Sequence, residues 1–155
     1  MTHDISIRAA TIDDAESISQ LVTRLAREYI ACELSTEGAN RLLNSLSVDS
    51  IRSYLTAGYK YYVAEAGSVL AGVVATRDDR HLYHLFVAEP FQRRGLARRL
   101  WQVAQAPCLA AGTREFTVNS SRNAVAVYER FGFVRQSESQ DTGGVVSVPM
   151  KLTIG

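Results

Sequence analysis

Residues 85–100 read LFVAEPFQRRGLARRL, and the fold assignment rests on them. An apolar strand runs into a short loop. The loop runs straight into a helix start at Gln92-Arg93-Arg94-Gly95-Leu96-Ala97. A helix N-terminus leaves backbone N–H groups unpaired and carries roughly half a positive charge. Such groups face whatever anion lies above them, phosphate most often. Gly95 lets a ligand approach the backbone, and Ala97 keeps the first turn thin. Arg93, Arg94, Arg98 and Arg99 surround the turn with positive charge. From these residues alone, a solvated basic helix start reads as well as an anion site.

Upstream of this stretch, Ile5, Ile7 and Ala9 alternate with polar neighbours and predict a first strand. Thr11, Asp13 and Asp14 suit a helix start. Ala15, Ile18, Leu21, Val22, Leu25 and Ala26 then recur at helical spacing, ending near Ile30. Helical pieces follow from Ser35, with Leu42, Leu43 and Leu46 on one face, and from Ser47 or Asp49 to a stop at Gly58. From Tyr59 the chain turns β-branched and aromatic. Residues 59–66 and 69–76 flank a turn at Gly67 and predict a hairpin. Asp78-Asp79 makes the next turn, and His81 to Val87 the next strand.

Downstream, Gly95 to Ala106 reads as helix, with Pro107 ending or kinking it. Phe116 to Val118 reads as strand, and Arg122 to Phe131 as helix stopped by Gly132. Phe133 to Gln136 and Val145 to Leu152 are the last strands. Pro149 places the final one at an edge or a bulge, and Ser137 to Gly144 is a flexible connection. The segment 81–118 is long enough for a parallel crossover, so the order predicts a mixed sheet with helices on both faces.

The 155 residues fit one domain, 1–155, and can bury a core without disulfides or metal. Seventeen Lys and Arg against sixteen Asp and Glu leave +1, which disfavours binding nucleic acid through phosphate neutralisation. Cys32 and Cys108 form no CxxC pair, so no zinc cluster is expected and a cytoplasmic location is the simplest. The N-terminus lacks the basic and apolar pattern of a signal peptide, and no apolar run is long enough to span a membrane.

The segment 85–100 resembles the acyl-CoA pyrophosphate loop of GNAT-type N-acetyltransferases, whose pattern is Q/R-x-x-G-x-G/A. Residues 119–133, NSSRNAVAVYERFGF, resemble that family's later motif through Ala124, Tyr128, Gly132 and Phe133. The element order is also similar, so the resemblance spans nearly the whole chain.

The resemblance implies an α/β (α+β) fold whose mixed, mostly antiparallel sheet of about seven strands splays open between the fourth and fifth. It implies acetyl transfer from acetyl-CoA to a primary amine by direct attack, without metal. The expected cofactor contacts are Gln92, Arg93, Arg94, Gly95, Leu96, Ala97 and Arg98 at the pyrophosphate. Phe86 and Val87 would lie beside the pantetheine arm, with Asn119 and Asn123 as further polar contacts.

Here the chain departs from the family pattern, with Ser121 where many members carry an Asn. Tyr128 is the candidate acid for the leaving thiolate. His81 and His84 are candidate bases; His81 stands where some members carry a carboxylate base. Glu28, Glu33 or a water chain are alternatives.

The acceptor, a small-molecule or peptide amine, would meet residues 25–55 and 134–150. Asp78-Asp79 with the two histidines fits a turn better than a metal site, and Trp101 reads as packing. The lone cysteines read as buried or idle and not as catalytic thiols. An open edge on the last strand would also allow a homodimer. The alternative to an enzyme is an inactive acyl-CoA-binding sensor or regulatory module.

Overall fold

The computed structural model describes residues 4–155. The first three residues, part of the N-terminal stretch read above for a signal peptide, lie outside it. Eight strands form the sheet: β1 (Ile5–Ala9), β2 (Lys60–Ala66), β3 (Val69–Arg77), β4 (His81–Val87), β5 (Glu115–Ser120), β6 (Val134–Arg135), β7 (Gln140–Thr142) and β8 (Val145–Thr153). Five α-helices accompany them: α1 (Ala15–Tyr29), α2 (Thr36–Asn44), α3 (Val48–Thr56), α4 (Leu96–Ala110) and α5 (Val125–Arg130). The strand order is β1-β2-β3-β4-β5-β8-β6, with β7 also paired to β8. Every pairing is antiparallel except β4 with β5.

Two apolar layers sandwich the sheet. On one face α1 buries Ile18, Val22, Leu25 and Ala26 against Tyr61, Val63, Val73 and Ala75. On the other, α4 buries Leu96, Leu100, Trp101, Ala104 and Cys108 against Ala64, Val74, Leu82 and Phe116. Trp101 packs edge-on against Phe116, with ring centroids 5.1 Å apart. The helix stripes and the strand alternation thus face a shared sheet, as their periods require.

Three expectations need correction. Pro107 does not end α4; it lies within the last turn and the helix continues to Ala110. Cys108 continues the buried Trp101–Ala104 stripe beyond the proline, and that burial holds the turn in place. Residues 137–144 are not only a connection, because β7 pairs with β8 around Gly143-Gly144. Both glycines have positive φ, 61° and 88°, the conformation a tight hairpin turn demands. Finally, β8 is not an edge strand: β5 lies on one side, and β6 and β7 take the other. The Pro149 carbonyl accepts from the Gln136 N–H at 2.9 Å. In a strand, a residue's N and O face the same side. The missing N–H therefore faces Gln136, just past the end of β6, and the β5 ladder is intact.

The β7–β8 turn docks on α2. Arg41 Nε donates to the Gly143 carbonyl at 3.2 Å, and Gly38 lies directly against Gly144. A Cβ on Gly38 would fall 2.0 Å from the Gly144 carbonyl oxygen, so one backbone must retreat. Overpacking of this kind costs about 1–3 kcal/mol. Gly38→Ala is expected to lower the thermal midpoint by several degrees; an unchanged midpoint would show that this contact is loose.

Candidate active site

The parallel pair is the shortest long-range join between major strands. His81 pairs with Thr117 and Leu82 with Val118, and there β4 and β5 part. Residues 83–87 continue beside β3 but have no strand partner towards β5. The cleft this leaves opens towards the α4 N-terminus, because β4 runs from His81 at its closed end to Val87 at its mouth.

At the mouth, Gln92 Nε2 donates to the Val87 carbonyl at 2.9 Å and folds the loop back on the strand. Arg93 and Gly95 both take positive φ, 64° and 78°. Gly95 is the N-cap of α4 in the left-handed region, which glycine adopts without steric cost. No side chain caps this helix and no acidic residue stands in its first turn. Its free N–H groups and the exposed Arg93 and Arg94 therefore face outward together.

Arg98 points elsewhere: it donates to the Arg130 carbonyl at 3.1 Å and lies over the Phe131 ring. It thus ties the start of α4 to the end of α5. Leu96 is buried beneath the turn and Ala97 half-buried. The arrangement suits a polyanion.

Tyr128, on α5, is packed between Phe131 and Phe133, and no side-chain hydrogen bond occupies its hydroxyl among the described residues. Burial pushes its phenol above the ordinary tyrosine range, so it holds its proton at neutral pH. Asn119 lies exposed on β5 one residue beyond the last β4 pairing. Asn123 is occupied locally, accepting from Ser121 Oγ at 2.7 Å.

The two histidines reach the opposite face through an irregularity in β4. Thr76 pairs with Leu82 and Ala75 with His84, leaving Tyr83 as an extra residue. This bulge turns Tyr83 and His84 to the same side, with rings 4.3 Å apart. Leu82, Leu85 and Val87 face the α4 layer, while Phe86 joins the α1 layer. That spacing of apolar positions was the available signal for the bulge, and the alternation reading missed it.

His84 is enclosed among Tyr54, Tyr61, Tyr83 and Phe86, with Nδ1 2.9 Å from the Tyr61 hydroxyl. Burial lowers its pKa to about 3. His81 is half-buried, with Nδ1 2.7 Å from Thr117 Oγ1. Burial, then Arg77 and Arg80, lower its pKa to about 4. Both imidazoles are neutral at pH 7.

The two segments expected to meet an acceptor touch each other through α2 and the β7–β8 turn. Glu28, near the end of α1, lies beside Glu89 in the loop after β4. That neighbouring carboxyl pushes the Glu28 pKa up. Glu33 is exposed in the turn that follows α1. Among the described residues no three His, Cys, Asp or Glu side chains gather as a metal site would require. Cys32 is exposed and Cys108 buried, both free. Among the described residues no helix is long and apolar enough to cross a membrane.

Comparison with known proteins agrees with this geometry. In solved structures the same fold appears in a GCN5-related N-acetyltransferase from Rhodopseudomonas palustris, with TM-score 0.81, 17% identity and 99% of both chains covered. It appears in PaiA N-acetyltransferase from Thermoplasma acidophilum in complex with coenzyme A, with TM-score 0.75, 17% identity, and 97% of this chain and 99% of that one covered. It appears again in yncA from Salmonella typhimurium, solved with acetyl-CoA, with TM-score 0.69, 17% identity, and 98% and 95% covered. At such identities these structures speak to the fold alone.

The mouse protein named probable N-acetyltransferase family 8 member 5 is 27% identical over 121 residues, covering 70% of this chain. The chain spans about half of that relative's length, 49%. The family model of the acetyltransferase (GNAT) domain matches residues 30–154, from the end of α1 to the end of β8. With that match over most of its length, the chain belongs to the GNAT acetyltransferase family.

Proposed function

We propose that this chain, as one domain, transfers the acetyl group of acetyl-CoA to a primary amine. The observation that carries the reading is the β4–β5 cleft ending at an uncapped, arginine-flanked helix start. The N–H groups from Arg93 to Arg98 would hold the pyrophosphate. The unpaired side of β4, through Phe86 and Val87, offers backbone groups to the amide-rich pantetheine arm, as an added strand would. Asn119 at the cleft rim would make a further polar contact.

Direct attack needs a deprotonated amine, a donor for the oxyanion and a proton for the leaving thiolate. The amine nitrogen bonds the acyl carbon, and the carbon–sulfur bond breaks. The neutral His81 imidazole, the less enclosed of the two, takes the amine proton directly or through water. His84 fixes the neighbouring wall through Tyr61. The buried Tyr128 hydroxyl, held protonated, supplies the thiolate's proton. Unpaired Cys32 and Cys108 fit the reducing cytoplasm.

Acetyl-CoA at about 100 times its Kd should stabilise the purified protein by about 2.7 kcal/mol, with ATP and NAD inert. No shift with saturating acetyl-CoA would remove the reading. Shift without CoA formation from any amine would favour a regulatory acyl-CoA-binding module.

Tyr128→Phe is expected to cut kcat about 100-fold or more while keeping the acetyl-CoA shift. Full activity in that variant would dismiss Tyr128 as the acid.

Both histidines stay neutral through the neutral range, so no histidine limb is expected in the pH–rate profile. The rising limb should move with the pKa of the acceptor amine. A limb fixed near the ordinary histidine value of about 6.5 would contradict this assignment.

A further inference from the structure

The last residue of β3 is a cation without a counter-ion. Arg77 has its Cα paired with that of His81, so both side chains share the α1 face. Its guanidinium carbon lies over the Tyr83 ring, 5.8 Å from the centroid. Its Nε is buried and has no hydrogen-bond partner.

The neighbouring cations are engaged differently. Lys60 pairs with Asp79 at 2.8 Å, and Arg80 pairs with Glu115 at 3.0 Å. Arg77 makes no ion pair among the described residues, not even with adjacent Asp78. Withdrawing part of a guanidinium from water without a paired anion is costly, and the ring beneath it recovers only part of that cost.

The position is also built to be held. Asp78 and Asp79 both take positive φ, 56° and 54°, in the turn that leads from Arg77 into β4. Asp79 is fixed on both sides, its carboxylate by Lys60 and its carbonyl by Thr113 Oγ1 at 2.8 Å. Arg77, Tyr83, His81 and Thr117 therefore form an arc on one face, leading from the unpaired guanidinium to the point where β4 leaves β5.

We propose that Arg77 receives the carboxylate of the acceptor, and that the acceptors are amines that also carry a carboxylate, as amino acids do. The proposal rests on the acetyl-transfer reading and names the substrate class of that same site. A guanidinium presents a planar fork of N–H donors that matches a carboxylate's two oxygens. The carboxylate supplies the missing counter-charge. Anchored there, the acceptor's amine extends along the arc towards His81 and the cleft. Arg77 is in this sense a specificity-determining contact rather than a group in the bond-making step.

The test uses the full chain with acetyl-CoA and a panel of amino acids, each offered as free carboxylate and as carboxamide. CoA formation is followed by chromatography. The parent protein is expected to favour the carboxylates by about tenfold or more in kcat/KM, the size of one charge-assisted contact. Arg77→Gln should bring the ratio near one, chiefly through KM for the carboxylates, and Arg77→Lys should keep part of it. The ratio compares two acceptors on one preparation, so partial misfolding of a variant does not alter it.

Equal use of both forms by the parent, or an undiminished preference in Arg77→Gln, would overturn the proposal. So would a preference for phosphorylated amines over carboxylated ones. A midpoint that rises with acetyl-CoA while no panel member reacts would leave the cofactor reading standing and remove this one. A midpoint indifferent to acetyl-CoA would instead remove the cofactor reading.

Discussion

Two backbone pairings, His81 with Thr117 and Leu82 with Val118, are all that join the two halves of the sheet along β4 and β5. The proposed cofactor cleft depends on how soon that pairing stops. A parallel pair carried to the strand ends would satisfy the backbone of residues 83–87 and leave no cleft. Stopping it leaves a row of polar backbone groups that water or a ligand must serve. The sheet stays in one piece because α4 packs across the join, on Leu82 of β4 and Phe116 of β5. β3 and α4 hold β4, while β8 holds β5 along its whole length.

The second constraint is the placement of α4. Its apolar stripe, Leu96, Leu100, Trp101, Ala104 and Cys108, fixes the helix against β2, β3 and β4. That packing directs its N-terminus to the open end of the cleft. Gly72 permits the close approach: a Cβ there would stand 2.9 Å from Leu100 Cδ1. The helix dipole, the free N–H groups and the arginines then act at one place. Arg98 and Arg99 are the exceptions: Arg98 serves the contact between α4 and α5, and Arg99 donates to the Ile5 carbonyl of β1 at 3.2 Å. Their place in the basic cluster was a property of the sequence that packing reassigned.

Most of the fold was legible because its signals are local. The caps at Ser35 and Ser47, the helix stripes, the hairpin turns and the Gln92–Ala97 junction each lie within a few residues. The errors have long-range causes. Pro107 was outweighed by burial of Cys108 on the sheet. Pro149 was tolerated in an interior strand because its missing N–H falls on the β6 side, just past the end of β6, and not on the β5 ladder. β7 was hidden in a polar stretch whose Gly143-Gly144 turn docks on α2, about a hundred residues earlier.

The site divides in the same way. As candidates, the loop, Tyr128 and the β4 histidines came from the sequence and its family resemblance. The Tyr83 bulge, the Thr117 contact to His81 and the unpaired state of Arg77 did not. They depend on which strands lie side by side, and no spacing within one segment encodes that.

The account stands most directly on the cleft and the helix start acting as one anion-ended groove. Backbone amide signals of the protein, followed by NMR during titration with coenzyme A, test this residue by residue. The largest changes are expected at Arg93 to Arg98 and along Leu85 to Val87, with the sheet interior at Val63 and Val73 little moved. Changes confined to another surface, such as the hollow between Ala9–Ile12 and Leu55–Tyr62, would contradict the account.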